Sequence, residues 1–182
     1  MIEEDKPRLP PNTPTINPSY IGHFRKAAIE SGLAEKFGGN VDRAARILQA
    51  ISLRENPQQR PRAVGRNRNG TGDHGLMQIN DVNISDPELR KNIYDPYTNI
   101  LTGAQIFDNA LGRANGDILA ALSIYNRGGR GERNEKGEFY NQDYVNAVRE
   151  HFSRLERDAN YRAALIRNAT NPGRRPLGAR QR

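Results

Sequence analysis

The chain has 182 residues with a formal net charge of +7 at pH 7, a length that fits one domain and argues against a multi-enzyme architecture. It contains no cysteine, which excludes a disulfide scaffold, a thiolate nucleophile, thiolate-bound zinc and chain-held iron–sulfur clusters. Six arginines and no acid fall in residues 160–182, so residues 1–159 carry only +1, and a nearly neutral body bears a cationic end suited to DNA, acidic glycans or another protein.

Residues 1–18 are acidic and carry Pro7, Pro10, Pro11, Pro14 and Pro18, which reads as an extended arm and not as a signal peptide. From Ser19 to Phe37 the apolar residues Tyr20, Ile21, Phe24, Ala28 and Leu33 recur at helical spacing, with Ser19 as the expected cap and Gly38-Gly39 as the stop. Asp42 is the expected cap of a second helix, in which Ala44, Ile47, Leu48 and Ile51 mark one face. Glu55 lies four residues beyond Ile51, on that same stripe. Pro57 and Pro61 end the helix, and residues 63–74, rich in Gly, Asn and Arg, read as an exposed loop with at most a small hairpin.

The short run Gly75-Leu76-Met77-Gln78-Ile79-Asn80 follows, too brief to assign by periodicity. Asp95-Pro96 opens a helix with the apolar stripe Ile100, Leu101, Ala104, Phe107, Ala110 and Leu111, and Asp117 caps another carrying Ile118, Leu119, Leu122 and Tyr125. After a polar loop, Tyr140, Tyr144, Val145, Val148, Phe152 and Leu155 mark the last long helix. The pattern predicts a mainly α domain over residues 19–159, an arm over 1–18 and a basic tail over 160–182. No run approaches the roughly 18 apolar residues of a membrane span.

His23, His74 and His151 fit no metal-ligand spacing, Gly128-Gly129-Arg130-Gly131 lacks the strand and spacing of a dinucleotide fingerprint, and no serine sits in a nucleophile elbow. No metal or cofactor is expected, and carboxylate chemistry remains. A solvated Glu is ionised at pH 7, whereas an acid catalyst must keep its proton, so Glu55 on an apolar stripe is the candidate whose burial would raise its pKa. Glycosidases commonly pair such an acid with a second carboxylate. Asp73, Asp81, Asp86 and Asp95 are the available partners, with Asp95 read as a helix cap and the others as loop residues.

Glu55, then Gly75-Leu76-Met77-Gln78-Ile79-Asn80, then Asp95-Pro96-x-x-Asn99-Ile100-x-x-Gly103-Ala104, then Ala121-Leu122-x-x-Tyr125-Asn126-x-Gly128 together resemble the soluble lytic transglycosylases. The likeness runs from about Asp42 to Val148 and is nearest to the phage-particle and secretion-system branches. Two positions depart from the family pattern: Asn56 follows Glu55 where the family has Ser, and Arg127 stands where the family has Ala. The loop hydroxyl of the family has Thr71 or Gly65 as its nearest counterpart.

The resemblance implies a lysozyme-like single domain of the goose-type lysozyme and lytic transglycosylase kind, acting on peptidoglycan glycan strands. It implies that Glu55 is acid and then base, with the muramic acid 6-hydroxyl as nucleophile. Gln78 and Asn80 are expected to bind sugar groups, Met77 to line a sugar subsite, Tyr125 to donate its hydroxyl proton to Glu55 or to the substrate acetamide, and Asn126 to belong to the same substrate-binding set while capping its helix and fixing the surroundings of Tyr125. The tails would dock on virion or secretion-complex proteins, and the Arg-rich end would touch nucleic acid weakly. The place of action would be the cell wall, reached from a phage particle or else from a secretion system. A hydrolytic lysozyme of the same fold, and an inactive structural or nucleic-acid-binding protein, are the alternatives.

Overall fold

The structure, a computed structural model, describes residues 13–170. Most of the proline arm's residues and the arginines beyond 170 lie outside that range, as does any docking or nucleic-acid contact made there. Among the described residues there are eight α-helices and one small sheet: α1 (Pro18–Glu30), α2 (Leu33–Lys36), α3 (Val41–Glu55), β1 (Val64–Arg66), β2 (Gly72–His74), β3 (Ile79–Asn80), α4 (Pro87–Asn92), α5 (Pro96–Arg113), α6 (Ile118–Arg127), α7 (Gln142–Arg157) and α8 (Ala159–Thr170). No described helix is long and apolar enough to cross a membrane.

α3 is the central helix. It packs against α1, α5 and α7, and it buries Ala45, Gln49, Ala50, Ser52 and Leu53 as well as the expected face of Ala44, Ile47, Leu48 and Ile51. Beyond its exposed first turn α3 is enclosed on nearly every side, as a core helix is, and its C-terminal end opens toward the surface again. There Glu55 emerges. Phe24 of α1, Phe107 of α5, Leu122 of α6 and Val145 and Val148 of α7 complete the core around it, all fully buried.

Local chemistry explains several departures from the periodic reading. Asn17, not Ser19, caps α1 by accepting the Ser19 N–H at 3.0 Å, because Pro18 at the first helical position leaves the cap to its predecessor. Asn40, not Asp42, caps α3 by accepting the Arg43 N–H at 3.0 Å, while Asp42 lies in the first turn and pairs with Arg25. The stretch from Ser19 to Phe37 is two helices, since Gly32 takes φ 81° and breaks the ladder between them. Asp95 and Asp117 cap α5 and α6 as expected.

Residues 63–74 are not a simple loop. β1 and β2 form an antiparallel hairpin with Gly65 opposite Asp73, and β2 then pairs with β3 through Asp73 and Asn80. Tyr140 lies before α7 and is exposed. Residues 160–170, assigned by charge to a tail, are helical: Tyr161 and Leu165 of α8 are buried, and the Leu165 carbonyl accepts the Ile16 N–H at 3.1 Å. The four arginines from 174 onward dominated the charge reading and hid the apolar spacing of these two residues.

Candidate active site

An open cleft of about 830 Å³ lies between the hairpin and α5–α6, with Glu55 in its wall. The hairpin supplies Asn67, Asn69, Thr71 and Asp73, the following run supplies Gln78, Ile79 and Asn80, and α6 supplies Ile124, Tyr125, Asn126 and Arg127. One buried side chain fixes how these parts meet. Asn99 of α5 accepts the Met77 N–H at 2.8 Å and donates to the carbonyls of His74 and Ile93, each at 2.9 Å. Its amide lies so near Gly75, at φ 78°, that a Cβ there would stand 2.3 Å from Asn99 Nδ2. Only glycine fits that crossing.

The end of α3 is tied to the same run. Ser52 Oγ donates to the Leu76 carbonyl at 3.1 Å, and Asn56 donates through Nδ2 to the Gly75 carbonyl at 3.1 Å and to the Arg60 carbonyl at 2.7 Å. Asn56 thus fastens the end of α3, next to Glu55, onto the Gly75-Leu76-Met77-Gln78 turn. Thr71 lines the cleft and Gly65 does not.

Glu55 is half-buried, and burial pushes its carboxyl up from 4.5 to about 7. The hydroxyl of Tyr144 and the charge of Arg54 act against that rise, and the negative charge of Asp73 adds to it. Placement at the C-terminal end of a helix also disfavours a carboxylate. The Tyr144 hydroxyl is buried and has no hydrogen-bond partner at normal distance, yet it lies close enough to Glu55 to favour its ionised form. The geometry therefore describes a proximate, unpaired donor, with Glu55 as the group it can serve. The carboxyl is poised to hold a proton at neutral pH and to release one.

The other expected site residues fall out unevenly. Gln78 lines the cleft in the left-handed region at φ 48°, and its Nε2 donates to the Gly75 carbonyl at 2.9 Å. Asn80 lines the cleft, and its Nδ2 donates to Asp73 Oδ1 at 2.6 Å and to Thr71 Oγ1 at 3.0 Å. Tyr125 borders the cleft, but its hydroxyl donates to the Met77 carbonyl at 2.9 Å and not to Glu55. Met77 is fully buried against Gly103 and does not line the cleft, because the same bond and Asn99 pull its backbone into the core. Asn126 is not a cap: it lies within α6, accepts from Asn141 Nδ2 at 2.9 Å, and Gly128 ends the helix.

Among the four candidate partner acids only Asp73 lines the cleft. Asp86 and Asp95 cap helices, accepting from Glu88 N at 2.9 Å and from Thr98 N at 2.8 Å. Asp81 accepts from Gly72 N at 2.6 Å and meets His74 Nε2 at 3.0 Å. Asp73 is held by two amides, Asn67 Nδ2 at 2.9 Å and Asn80 Nδ2 at 2.6 Å, one on each oxygen. No group of three metal-ligating side chains occurs among the described residues. Tyr144 escaped the sequence reading as one apolar position of a stripe, whereas Asp73 stood there among four candidate acids with nothing to single it out.

The family model described as the Transglycosylase SLT domain matches residues 42–148, from the first turn of α3 into α7. The chain belongs to this family. The SLT match spans Glu55, the hairpin, Tyr125 and Tyr144, and with the mainly helical architecture it shows the lysozyme-like fold that the motifs implied. The chain is similar to the proteins named Invasion protein IagB of Salmonella typhimurium, strains SL1344 and LT2, and of Salmonella typhi. Each is 29% identical over 118 residues, covering 60% of this chain and 68% of the relative. No solved structure matches at a comparable significance.

Proposed function

We propose that the protein is a peptidoglycan lytic transglycosylase that cleaves the β-1,4 bond between N-acetylmuramic acid and N-acetylglucosamine. The observation that carries this reading is the Glu55 carboxyl, raised to about 7 in the wall of an open cleft lined with amides. Protonated Glu55 gives its proton to the glycosidic oxygen as that bond breaks. Ionised Glu55 then removes the proton from the muramic acid 6-hydroxyl, whose oxygen closes on C1 to form a 1,6-anhydro end. Gln78, Asn80 and Asn126 offer hydrogen bonds to sugar and acetamide groups from the cleft wall. Tyr125 holds the Met77 backbone, and Tyr144 supports the ionised state of Glu55 between the two proton transfers.

A second reading is favoured by Asp73. A carboxylate anchored by Asn67 and Asn80 in the same cleft as a proton-bearing Glu is the pairing used for hydrolysis, with water in place of the 6-hydroxyl. Mass analysis of muropeptides released from purified sacculi separates the two. Anhydro ends from the wild type, absent with Glu55→Gln, support transglycosylation, and ends heavier by one water support hydrolysis. An idle structural protein would release nothing from either form.

For delivery to the wall, a phage particle was the first route the sequence suggested and a secretion system the second. The likeness to Salmonella proteins named for invasion weighs toward a bacterial setting. Immunodetection of the chain in purified virions or in bacterial envelope fractions decides between them.

A further inference from the structure

The acidic and basic side chains that line the cleft, among the described residues, are Glu55, Asp73, Arg113 and Arg127. The two acids sit at the end of α3 and on β2, whereas the two arginines are the last residues of α5 and α6. On α5 the cleft-facing positions are Thr102, Gln105, Ile106, Asn109 and Arg113, one face of a helix. At 1.5 Å per residue Arg113 lies about 16 Å along that face from Thr102. The cleft is therefore acidic where the bond would break and basic at one end.

Both arginines are positioned without being neutralised. Arg113 Nη2 donates to the Gly129 carbonyl, and the Arg127 guanidinium lies over the Tyr140 ring at 4.6 Å. Neither makes an ion pair with a described acid. The nearby acid, Glu132, accepts the Arg130 N–H at 3.1 Å, and backbone bonds followed by Arg127 and Arg130 hold its carboxyl below the usual range. Glu132 is thus turned into its own loop. Segment 127–133 holds three arginines against this one acid. A guanidinium has five donors, and a single carbonyl bond or a ring beneath its face leaves most of them free.

We propose that Arg113 and Arg127 form an anion subsite that binds a carboxylate of the glycan strand, carried by the lactyl group of N-acetylmuramic acid or by the peptide attached to it. The inference rests on the peptidoglycan reading above and names what selects the bond to be cut. The strand alternates carboxylate-bearing and neutral sugars, so its two β-1,4 linkages differ only in which side the acidic sugar occupies. An anion subsite at one end of the cleft sets that register and presents one kind of linkage to Glu55.

Calorimetric binding to the full chain carrying Glu55→Gln tests this with three probes: a muramic acid oligosaccharide bearing peptides, the same glycan stripped of peptides, and a neutral N-acetylglucosamine oligomer. Arg113→Gln and Arg127→Gln, each added to that chain, are expected to weaken anionic glycans about three- to fivefold, as exposed ion pairs do. The neutral oligomer is expected to bind unchanged, Arg127→Lys to restore part of the loss, and high salt to shrink the difference. Loss confined to the peptide-bearing probe assigns the carboxylate to the peptide; loss confined to the stripped glycan assigns it to the lactyl group, whose carboxyl is an amide wherever a peptide is attached; and loss with both shows that the subsite takes either carboxylate. Equal affinities with and without the arginines, or an equal loss for the neutral oligomer, would overturn the subsite and leave the glycan reading standing. Failure of the Glu55→Gln chain to bind any of the three would overturn both.

Discussion

Glu55 couples the chemistry to the stability of the protein. Its carboxyl titrates near 7 when folded and at 4.5 in an unperturbed chain, so between those values the folded protein keeps a proton that the unfolded chain has lost. The stability that neutral Glu55 contributes is complete below pH 4.5 and is lost at about 1.4 kcal/mol per pH unit as pH rises toward 7, roughly 3 kcal/mol in all. Glu55→Gln is expected to match the wild type in urea unfolding at pH 4 and to exceed it by that order at pH 8. On the proposed function the same ionisation sets activity: kcat/KM is expected to fall as pH rises through about 7, and Glu55→Gln to lose about 100-fold or more. Tyr144→Phe removes a group that favours ionised Glu55, so the falling limb of the pH profile is expected to move to higher pH. An unmoved limb would show that the hydroxyl does not act on Glu55. The stripe of Ile47 and Ile51 made Glu55 legible in the sequence, because burial follows the periodicity of a helix. Tyr144 was hidden by the same rule, since a tyrosine on an apolar stripe looks the same whether or not its hydroxyl meets an acid.

Apart from α8, which the charge of the C-terminal sequence masked, the elements were legible in proportion to their length. α3, α5, α6 and most of α7 run for ten or more residues, and their apolar spacing announced them. β1, β2 and β3 have three, three and two residues, too few to show alternation, and Asp73 went unplaced with them. Asn69-Gly70 is a hairpin signal, but its flanks lack the alternating apolar residues that give it force. Buried polar bonds, three of them made by the Asn99 amide, act together with the buried Leu76, Met77 and Ile79 to hold the hairpin and the run after it to the helices. Asn99→Ala would strand the Met77 N–H and the carbonyls of His74 and Ile93, and is expected to cost about 3 kcal/mol or more in denaturant unfolding. A loss below about 1 kcal/mol would mean that the hairpin is placed by other contacts.

Across the molecule, charge and packing divide the C-terminal sequence differently. The charge boundary falls near residue 160, whereas the packed body continues through α8, whose Tyr161 and Leu165 are buried and whose Asn168 donates to the Pro14 carbonyl at 3.2 Å. α8 thereby joins the chain near residue 15 to the body, and Thr15 N in turn donates to the Pro57 carbonyl at 2.8 Å, just beyond the end of α3. Removal of residues 159–182 is expected to lower the melting temperature by several degrees, as loss of two buried side chains does in a domain of this size. An unchanged melting temperature would return α8 to the status of a tail. All of these relations converge on the electrostatics of one carboxyl at the end of the central helix. A carbon-13 NMR titration of the labelled Glu55 side chain, assigned by comparison with Glu55→Gln, measures it in the intact protein. A midpoint near pH 7 is the expected result, and a midpoint near 4.5 would contradict the assignment of Glu55 as a proton-bearing acid at neutral pH.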